Sequence, residues 1–247
     1  MKILVIGSMG FIGQHLFRYF SEKDNEVWGA DIVYDYINKD RFFLIDASNS
    51  DYNSVFQFTE YNLCVNCSGA ANVPASLKNP LHDYSLNTIN VFSILEAIRK
   101  YQPACKFINL SSAAVYGPGL KKQIFWDLYS KAQSGAPFSL YGTGNESRDY
   151  IYILDLVKVI ELVARHSAFS ADVINVANGE EIMIKNAVSI FFGLFDHEIR
   201  YSFSGETREG DPVNWVADIT KLVSYGYRPA FTIEKGLEYY YKWVINE

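Results

Sequence analysis

The chain opens with an apolar run that ends in a glycine-rich turn. Residues 2–6 read Lys-Ile-Leu-Val-Ile. A continuous apolar run of this length is typical of a strand buried on both faces of a parallel sheet. The turn that follows allows close approach of a phosphate to the backbone and close packing of a helix on the strand. The free amides at that helix start favour phosphate binding. The predicted cofactor-binding residues here are Gly7, Gly10, Phe11, Ile12 and Gly13. The alternative is a loop that merely contains glycines.

An acidic residue ends the second predicted strand, about 20 residues after the turn, where a ribose-binding carboxylate is expected. This residue is Asp31, and Ile32 follows it. A carboxylate here accepts hydrogen bonds from the adenosine ribose hydroxyls and repels a 2′-phosphate. Because no arginine follows immediately, the sequence predicts NAD rather than NADP, with both residues at the cofactor site. The alternative is an acid that only caps a strand end.

Strand-like and helix-like segments alternate through the first half of the chain. Further strands are predicted over residues 26–31, 41–45, 63–67 and 106–110. Helices are predicted up to Phe20 and over residues 80–100. This alternation predicts an α/β fold, a Rossmann-type doubly wound parallel sheet with right-handed crossovers.

Beyond Gly117 the pattern changes to a smaller C-terminal α/β lobe. Helices are predicted over residues 121–134, 155–165 and 184–195, with strands over 137–141 and 173–177. We therefore expect a nucleotide-binding domain over residues 1–119 and a substrate-binding lobe over residues 120–247. Residues 151–177 are expected to return to the first domain.

Composition excludes several classes of protein. The 247 residues carry a formal charge of −6 and are 49% hydrophobic. A disordered chain would be less apolar, and a nucleic-acid binder would usually be basic. No stretch approaches the roughly 20 apolar residues of a membrane helix. Three cysteines are too few for a disulfide framework, so we expect a reducing, cytoplasmic setting with no nucleic-acid or membrane partner.

Four further motifs occur in the first half of the chain, three of them at the ends of predicted strands and one in the helix predicted over residues 80–100. They are Asp46-Ala47, Cys67-Ser68-Gly69-Ala70-Ala71, Asn87 within Tyr84-Ser85-Leu86-Asn87, and Ser111-Ser112-Ala113-Ala114-Val115-Tyr116-Gly117. With the glycine turn, they resemble the extended short-chain dehydrogenase/reductase family, specifically its NAD-dependent epimerase/dehydratases that act on nucleotide sugars. The resemblance implies an adenine contact at Asp46 and Ala47. It also implies a pyrophosphate and nicotinamide-ribose loop at Cys67, Ser68, Gly69 and Ala71, a helix asparagine at Asn87, and a catalytic serine at Ser112.

The second lobe contains three segments that are similar to the same family. They are Gly142–Tyr152, Asn175–Gly179 and Arg208-Glu209-Gly210-Asp211-Pro212. The resemblance implies that Arg148 and Arg208 hold the diphosphate of a nucleotide sugar, with Asp211 in the same site. A guanidinium fork pairs with phosphate oxygens at two points, which suits this role. Without the surrounding motif, surface arginines in polar loops would be an equal alternative.

The family's catalytic Tyr-x-x-x-Lys pair is missing after the Val-Tyr-Gly strand end. Such a tyrosine takes the substrate hydroxyl proton, its pKa lowered by the lysine one helical turn away. The only tyrosine followed by lysine at this spacing is Tyr19, with Lys23, on the first helix. The segment Val115–Gly119 stands where the family has two similar elements. We therefore predict that one helix and one strand after the fifth strand are absent, about 40–50 residues if a βαβ unit takes 30 or more.

Three hypotheses for function follow. The first is an epimerase/dehydratase family protein that binds NAD and a nucleotide sugar, although the missing pair argues against ordinary catalysis. The second is a non-catalytic binding or regulatory protein, and the third is an internally deleted copy without its own activity. In the family the missing helix commonly builds the dimer interface, so we expect that dimer to be lost, with another homo-oligomer as the alternative. Cys64 and Cys67 lie on a predicted buried strand, and we expect no metal site.

Overall fold

The computed structural model describes residues 1–46, 51–70, 73–111, 115–206 and 213–247. Contacts between residues divide the chain into two compact units. The first comprises Met1–Ser112 and Ala164–Asp172, and the second comprises Ala113–Val163 and Val173–Glu247. The domain bounds expected from the sequence, including the return of residues 151–177, stay predictions.

The first unit is built on a five-stranded parallel sheet with strand order β3-β2-β1-β4-β5. Its strands are β1 (Lys2–Ile6), β2 (Glu26–Asp31), β3 (Phe42–Leu44), β4 (Leu63–Asn66) and β5 (Lys106–Asn109). The order reverses at β1, because β2 and β4 flank it on opposite sides. In an open α/β sheet, ligands bind outside the carboxyl ends of the strands at such a switch point. The Rossmann-type prediction is confirmed for this unit.

Five α-helices of the described residues accompany this sheet. They are α1 (Phe11–Ser21), α2 (Tyr52–Phe58), α3 (Val73–Lys78), α4 (Pro80–Tyr84) and α5 (Asn90–Tyr101). A 3₁₀ turn covers Lys39–Arg41, and a π-helical turn over Ser85–Ile89 joins α4 to α5. In α1 the buried residues are Gly13, Leu16 and Phe20, a spacing that places them on one face of a helix.

Strand β1 lies at the centre of the core of the first unit. Its residues Ile3, Leu4, Val5 and Ile6 are all 0% exposed. Leu4 and Ile6 belong to a buried cluster that also contains residues of α2 and α5. Because side chains alternate along a strand, Ile3 and Val5 point to the opposite face. The strand is therefore covered on both sides, as its continuous apolar run predicted.

Gln102, which follows α5, ties three backbone groups of the α2–β4 connection together. Its side-chain nitrogen donates to the carbonyl oxygens of Phe56 and, at 2.7 Å, of Thr59. Its side-chain oxygen accepts from the backbone nitrogen of Tyr61 at 2.8 Å. The glutamine is buried, so it satisfies backbone groups that water cannot easily reach.

The second unit contains short strand pairs and five helices among its described residues. The pairs are β6 (Val115–Tyr116) with β9 (Ile151–Tyr152), β7 (Phe138–Leu140) with β11 (Tyr201–Phe203), and β8 (Ser147–Arg148) with β10 (Ile182–Met183). The helices are α6 (Gln123–Ala132), α7 (Ile153–His166), α8 (Ile184–Phe192), α9 (Thr220–Ser224) and α10 (Ile233–Val244). The division between the units cuts α7 at Ala164.

Aromatic rings form much of the core of the second unit. The ring of Phe125 on α6 lies 5.4 Å from Tyr116, 5.5 Å from Tyr150 and 5.7 Å from Phe191, measured between centroids. Tyr240 on α10 is 6.2 Å from the same ring. These separations are typical of interacting aromatic pairs.

The strand predicted over residues 173–177 is wrong. The structure assigns no regular element there, and Val173 is 84% exposed. The side-chain nitrogen of Asn175 donates to the carbonyl oxygen of Asp218 at 3.1 Å, so this segment is held by a side chain rather than by a ladder. A strand-like sequence forms a strand only where another strand offers its backbone.

Within the described ranges, no helix combines the length and the apolar character needed to cross a membrane.

Replacing Gln102 by alanine should destabilise the first unit, because two carbonyl groups and one amide lose their buried partner. We expect the free energy of unfolding in urea to fall by about 2–4 kcal/mol. Gln57→Ala, on the exposed face of α2, is the matched control and should change it by less than about 0.5 kcal/mol. Equal effects of the two substitutions would show that the Gln102 contacts contribute nothing.

Candidate cofactor site at the carboxyl edge of the sheet

The turn after β1 requires glycine at two positions for steric reasons. Gly7 has a φ of +78°, and a Cβ on it would lie 2.7 Å from the backbone nitrogen of Ser68. A Cβ on Gly13 would lie 2.0 Å from the carbonyl oxygen of Gly7. The first helix therefore packs directly on the turn, and the turn packs directly on the loop after β4.

Helix α1 begins at this turn, with Gly10 as its N-cap. The amide of Gly10 donates to the carbonyl oxygen of Gly7 at 3.1 Å. The first amides of a helix, here those of Phe11 and Ile12, lack partners within the helix, and the helix dipole adds positive potential. The first turn of α1 contains no acidic residue. This end of α1 therefore suits the pyrophosphate of a dinucleotide.

Asp31, the last residue of β2, is buried and joins the glycine turn to the next loop. Its Oδ2 accepts a hydrogen bond from the amide of Met9 at 2.8 Å, and its Oδ1 accepts one from the amide of Val33 at 3.1 Å. Each carboxylate oxygen has a second lone pair. The same group can therefore accept hydrogen bonds from a ribose diol while it fixes both loops.

An open depression of about 510 Å³ lies beside Asp31, lined by Ile32, Leu44, Ile45 and Asp46. Ile32 is 58% exposed and Leu44 is 61% exposed, so both apolar side chains are accessible to a ligand. The amide of Ile45 donates to the carbonyl oxygen of Asp31 at 2.9 Å. Apolar side chains beside one carboxylate suit a planar heterocycle with a polar edge.

The loop after β4 is held by Asn87 in the π-helical turn. The side chain of Asn87 accepts from the amide of Ala70 at 2.8 Å and donates to its carbonyl oxygen at 3.1 Å. A Cβ on Gly69 would lie 2.6 Å from Oδ1 of Asn87. Single π-turns inside helices are frequent at functional sites. The asparagine therefore fixes the backbone of the loop, and its predicted contact with the cofactor stays a prediction.

A second polar network at this edge was not found from the sequence. The side chain of Asn66 donates to Oδ1 of Asn109 at 2.8 Å and accepts from the hydroxyl of Ser68 at 2.6 Å. Asn90 donates to the same hydroxyl at 3.0 Å and accepts from Tyr52 at 2.8 Å. In the sequence, the signal for this network was a polar residue, Asn66, at the end of an apolar strand. In the structure Asn66 is 0% exposed, so its side chain needs hydrogen-bond partners.

Cys67 takes part in the carboxyl edge of the sheet through its backbone amide, and its thiol is not reactive. Its amide donates to the carbonyl oxygen of Ile6 at 2.8 Å, and burial raises the pKa of its thiol well above the usual value. Burial also raises the pKa of Cys64. Both side chains are therefore uncharged at neutral pH.

In the second unit, the signature around Arg148 is held by two buried side chains. Asp149 accepts from the amides of Asn178, Gly179 and Ala217 at 2.9, 3.0 and 3.1 Å. The hydroxyl of Ser147 donates to Glu181 at 2.6 Å. Arg148 itself is half-buried, and its guanidinium donates to the carbonyl oxygen of Ser147 at 2.7 Å.

Five residues predicted for the site lie outside the described residues. They are Ala47, Ala71, Ser112, Arg208 and Asp211. Of the remaining candidates, those of the first unit gather at the carboxyl edge of its sheet. Arg148 belongs to the second unit.

None of three tyrosines offers a ready general base. Burial raises the pKa of Tyr116 far above the usual value, and that of Tyr150 to about 12, the latter opposed by the charge of Arg148. Tyr19 accepts a hydrogen bond from the side chain of Lys23 at 2.7 Å on an exposed part of the chain. It lies about 13 Å along α1 from Gly10, at 1.5 Å per residue, away from the phosphate turn.

The sequence model of the "NAD dependent epimerase/dehydratase family" matches residues 3–129 and 121–177 of the chain. Among curated relatives, a "Putative UDP-glucose 4-epimerase" of Methanocaldococcus jannaschii is 24% identical, covering 99% of this chain and 98% of the relative. "Protein CapI" of Staphylococcus aureus is 22% identical, covering 100% and 99%.

Two solved structures share the fold. A UDP-N-acetylglucosamine 4-epimerase from Methanobrevibacter ruminantium, in complex with UDP-N-acetylmuramic acid, has a TM-score of 0.85 at 20% identity, covering 99% of this chain and 98% of that one. A UDP-glucose 4-epimerase from Thermus thermophilus, in complex with NAD, has a TM-score of 0.83 at 19% identity, covering 98% of both chains.

These relatives are longer than this chain. The alignment with the M. jannaschii relative runs over 314 positions although the chain has 247 residues, so at least 67 positions of the relative have no counterpart. The two matches of the family model also share residues 121–129. With a matched region that spans most of the molecule, the chain belongs to the NAD dependent epimerase/dehydratase family.

Proposed function

We propose that the chain binds NAD at the carboxyl edge of the sheet in its first unit. The observation that carries this proposal is the pair of hydrogen bonds that Asp31 accepts from Met9 and Val33. They support it because they join the carboxylate proposed to bind the ribose to the glycine turn, next to Ile32 of the open depression. When bound, NAD supplies an acceptor for hydride. The residues of this chain bind and orient it, with Ala47, Cys67 and Ala71 in the remaining part of the site.

A nucleotide sugar is the proposed second ligand. The sequence supports it through Arg148, Arg208 and Asp211, two cations and an acid in motifs that are similar to those of the family. Relatives named as UDP-sugar epimerases support it as well. Ser112 is the proposed remaining catalytic residue. The free cysteines support the proposed cytoplasmic setting.

Turnover is proposed to be slow, because the chain offers no Tyr-x-x-x-Lys pair beyond Tyr19 and Lys23. A non-catalytic binding protein is the second candidate function, and the same observation favours it. The raised pKa values of Tyr116 and Tyr150 also oppose proton abstraction at neutral pH, since the base must be a tyrosinate.

Calorimetric titration with NAD tests the cofactor proposal. Asp31→Ala should weaken binding by about 10–100-fold, because hydrogen bonds to a charged group contribute about 1.5–3 kcal/mol. Asp40→Ala, an exposed acid of the same unit, should leave the affinity unchanged. An unchanged affinity for Asp31→Ala would contradict the ribose assignment. No heat with wild-type protein at millimolar NAD would contradict both candidate functions.

Titration with UDP-, GDP- and dTDP-sugars, followed by a turnover assay on any ligand that binds, separates the two candidates. We expect one nucleotide to bind, Arg148→Ala to weaken it, and Arg200→Ala, on the surface of the same unit, to leave it unchanged. Loss of a general base costs about 10²–10⁴-fold in rate, so turnover should be slower than in the relatives by that factor. A normal rate would exclude the non-catalytic protein.

The usual family dimer is proposed to be lost. β5 is the outermost strand of the described sheet on its side, and an outermost strand presents unpaired backbone groups to other chains. Without the helix predicted to be absent, an apolar face of the sheet beside β5 would also be uncovered. Light scattering should therefore show a species other than a tightly associated dimer, and an apolar dye should bind to that face. A monomer that binds no dye would contradict an exposed apolar face.

A further inference from the structure

The loop between β2 and the 3₁₀ turn, residues 32–38, exposes apolar side chains around one buried acid. Tyr36 is 83% exposed and Ile37 is 91% exposed, whereas Asp35 between Tyr34 and Tyr36 is only 7% exposed. An apolar loop in water has many compact alternatives. Its conformation therefore needs a specific restraint.

Asp35 provides that restraint. One carboxylate oxygen accepts from the amides of Ile37 at 2.8 Å and Asn38 at 3.0 Å, and the other accepts from the side-chain nitrogen of Asn38 at 2.8 Å. Burial opposes the charged form. The hydrogen bonds from Asn38 and Ile37 outweigh burial and hold the pKa of the carboxyl below its usual value. The acid is therefore ionised at neutral pH and closes the loop upon itself.

One hydrogen bond and two ring contacts fix the start and the middle of the loop. The amide of Val33 donates to Asp31 at 3.1 Å. The ring of Tyr34 lies 4.9 Å from that of Tyr36 and 5.6 Å from that of Phe42 at the start of β3, edge to face in both cases. The loop is thus held by the carboxylates of Asp31 and Asp35 and by the ring contact between Tyr34 and Phe42.

The loop that these restraints hold contains Ile32, a residue of the wall of the open depression. Ile32 lies between the anchors Asp31 and Val33 and lines the depression together with Leu44. In the sheet, Leu44 pairs with Asp31, so Leu44 and Ile32 border the same end of β2. A loop that is ordered before the ligand arrives keeps Ile32 in this position and lowers the entropy cost of binding.

We propose that Asp35 is a positioning residue for the nucleobase end of the NAD site. It acts by holding loop 32–38, so that Ile32 forms part of the wall of the depression together with Leu44. This inference rests on the proposed NAD site and extends it to a residue outside that site. Substitutions in this loop would then change the affinity for NAD, and they would change the affinity for ADP-ribose by the same factor.

The test compares Asp35→Ala and Asp35→Asn with wild-type protein by calorimetry, using NAD and ADP-ribose well below the Tm of each variant. Asp35→Ala should weaken both ligands by the same factor, about 10-fold. Asp35→Asn, which keeps an acceptor oxygen, should recover part of that loss. Asp51→Ala removes a carboxylate that caps α2 through Ser54 in the same unit, and it should change neither affinity.

Cleavage by chymotrypsin after Tyr34 and Tyr36 reports on the loop itself. Asp35→Ala should be cut faster than wild type, and ADP-ribose should slow the cleavage of both. Faster cleavage with unchanged affinities would overturn the positioning role, because the hydrogen bonds of Asp35 would then stabilise the loop without affecting ligand binding. A wild-type protein that binds neither NAD nor ADP-ribose would instead overturn the proposed function.

Discussion

The close approach of α1 to the turn after β1 is the constraint on which the first unit depends. The missing Cβ at Gly13 lets the helix pack against the carbonyl of Gly7, and the missing Cβ at Gly7 lets the turn pack against Ser68. These contacts bring the ends of β1 and β4 together at the switch point of the sheet. Asp31 then joins the same turn to the next loop through Met9 and Val33. A ligand at this edge would meet backbone amides whose positions are fixed by packing in the core.

Features set by short-range pattern could be predicted from the sequence. The apolar run of β1 and the acid that ends β2 depend on a few consecutive residues and on the period of a buried strand. Asn66 and Asn90 could not be assigned in the same way, because their partners lie 43 and 38 residues away along the chain. Asp35 was missed for another reason. Its role depends on local backbone geometry that its residue type alone does not reveal.

At residues 173–177 the sequence predicted an element that the structure does not contain. Val-Ile-Asn-Val has the composition of a strand, but strand formation is a property of a pair of segments. The sheet of the first unit ends at β5 in the described residues, and the alignment places at least 67 positions of a relative opposite gaps. A prediction from composition assigns each segment by itself, so it includes a strand without testing whether a partner strand is present.

Cofactor binding and chemistry rest on different parts of this chain, and this separation makes a binding function physically reasonable. The proposed NAD contacts come from the glycine turn, the end of β2 and the loops after β3 and β4, a set of mutually braced backbone segments. Proton abstraction needs one ionisable group with a lowered pKa, and burial raises the pKa of both Tyr116 and Tyr150. Losing a helix that carries such a group removes the base but none of the contacts that shape the phosphate turn. The proposed NAD contacts of this chain therefore do not depend on the segment that carries the general base in the family.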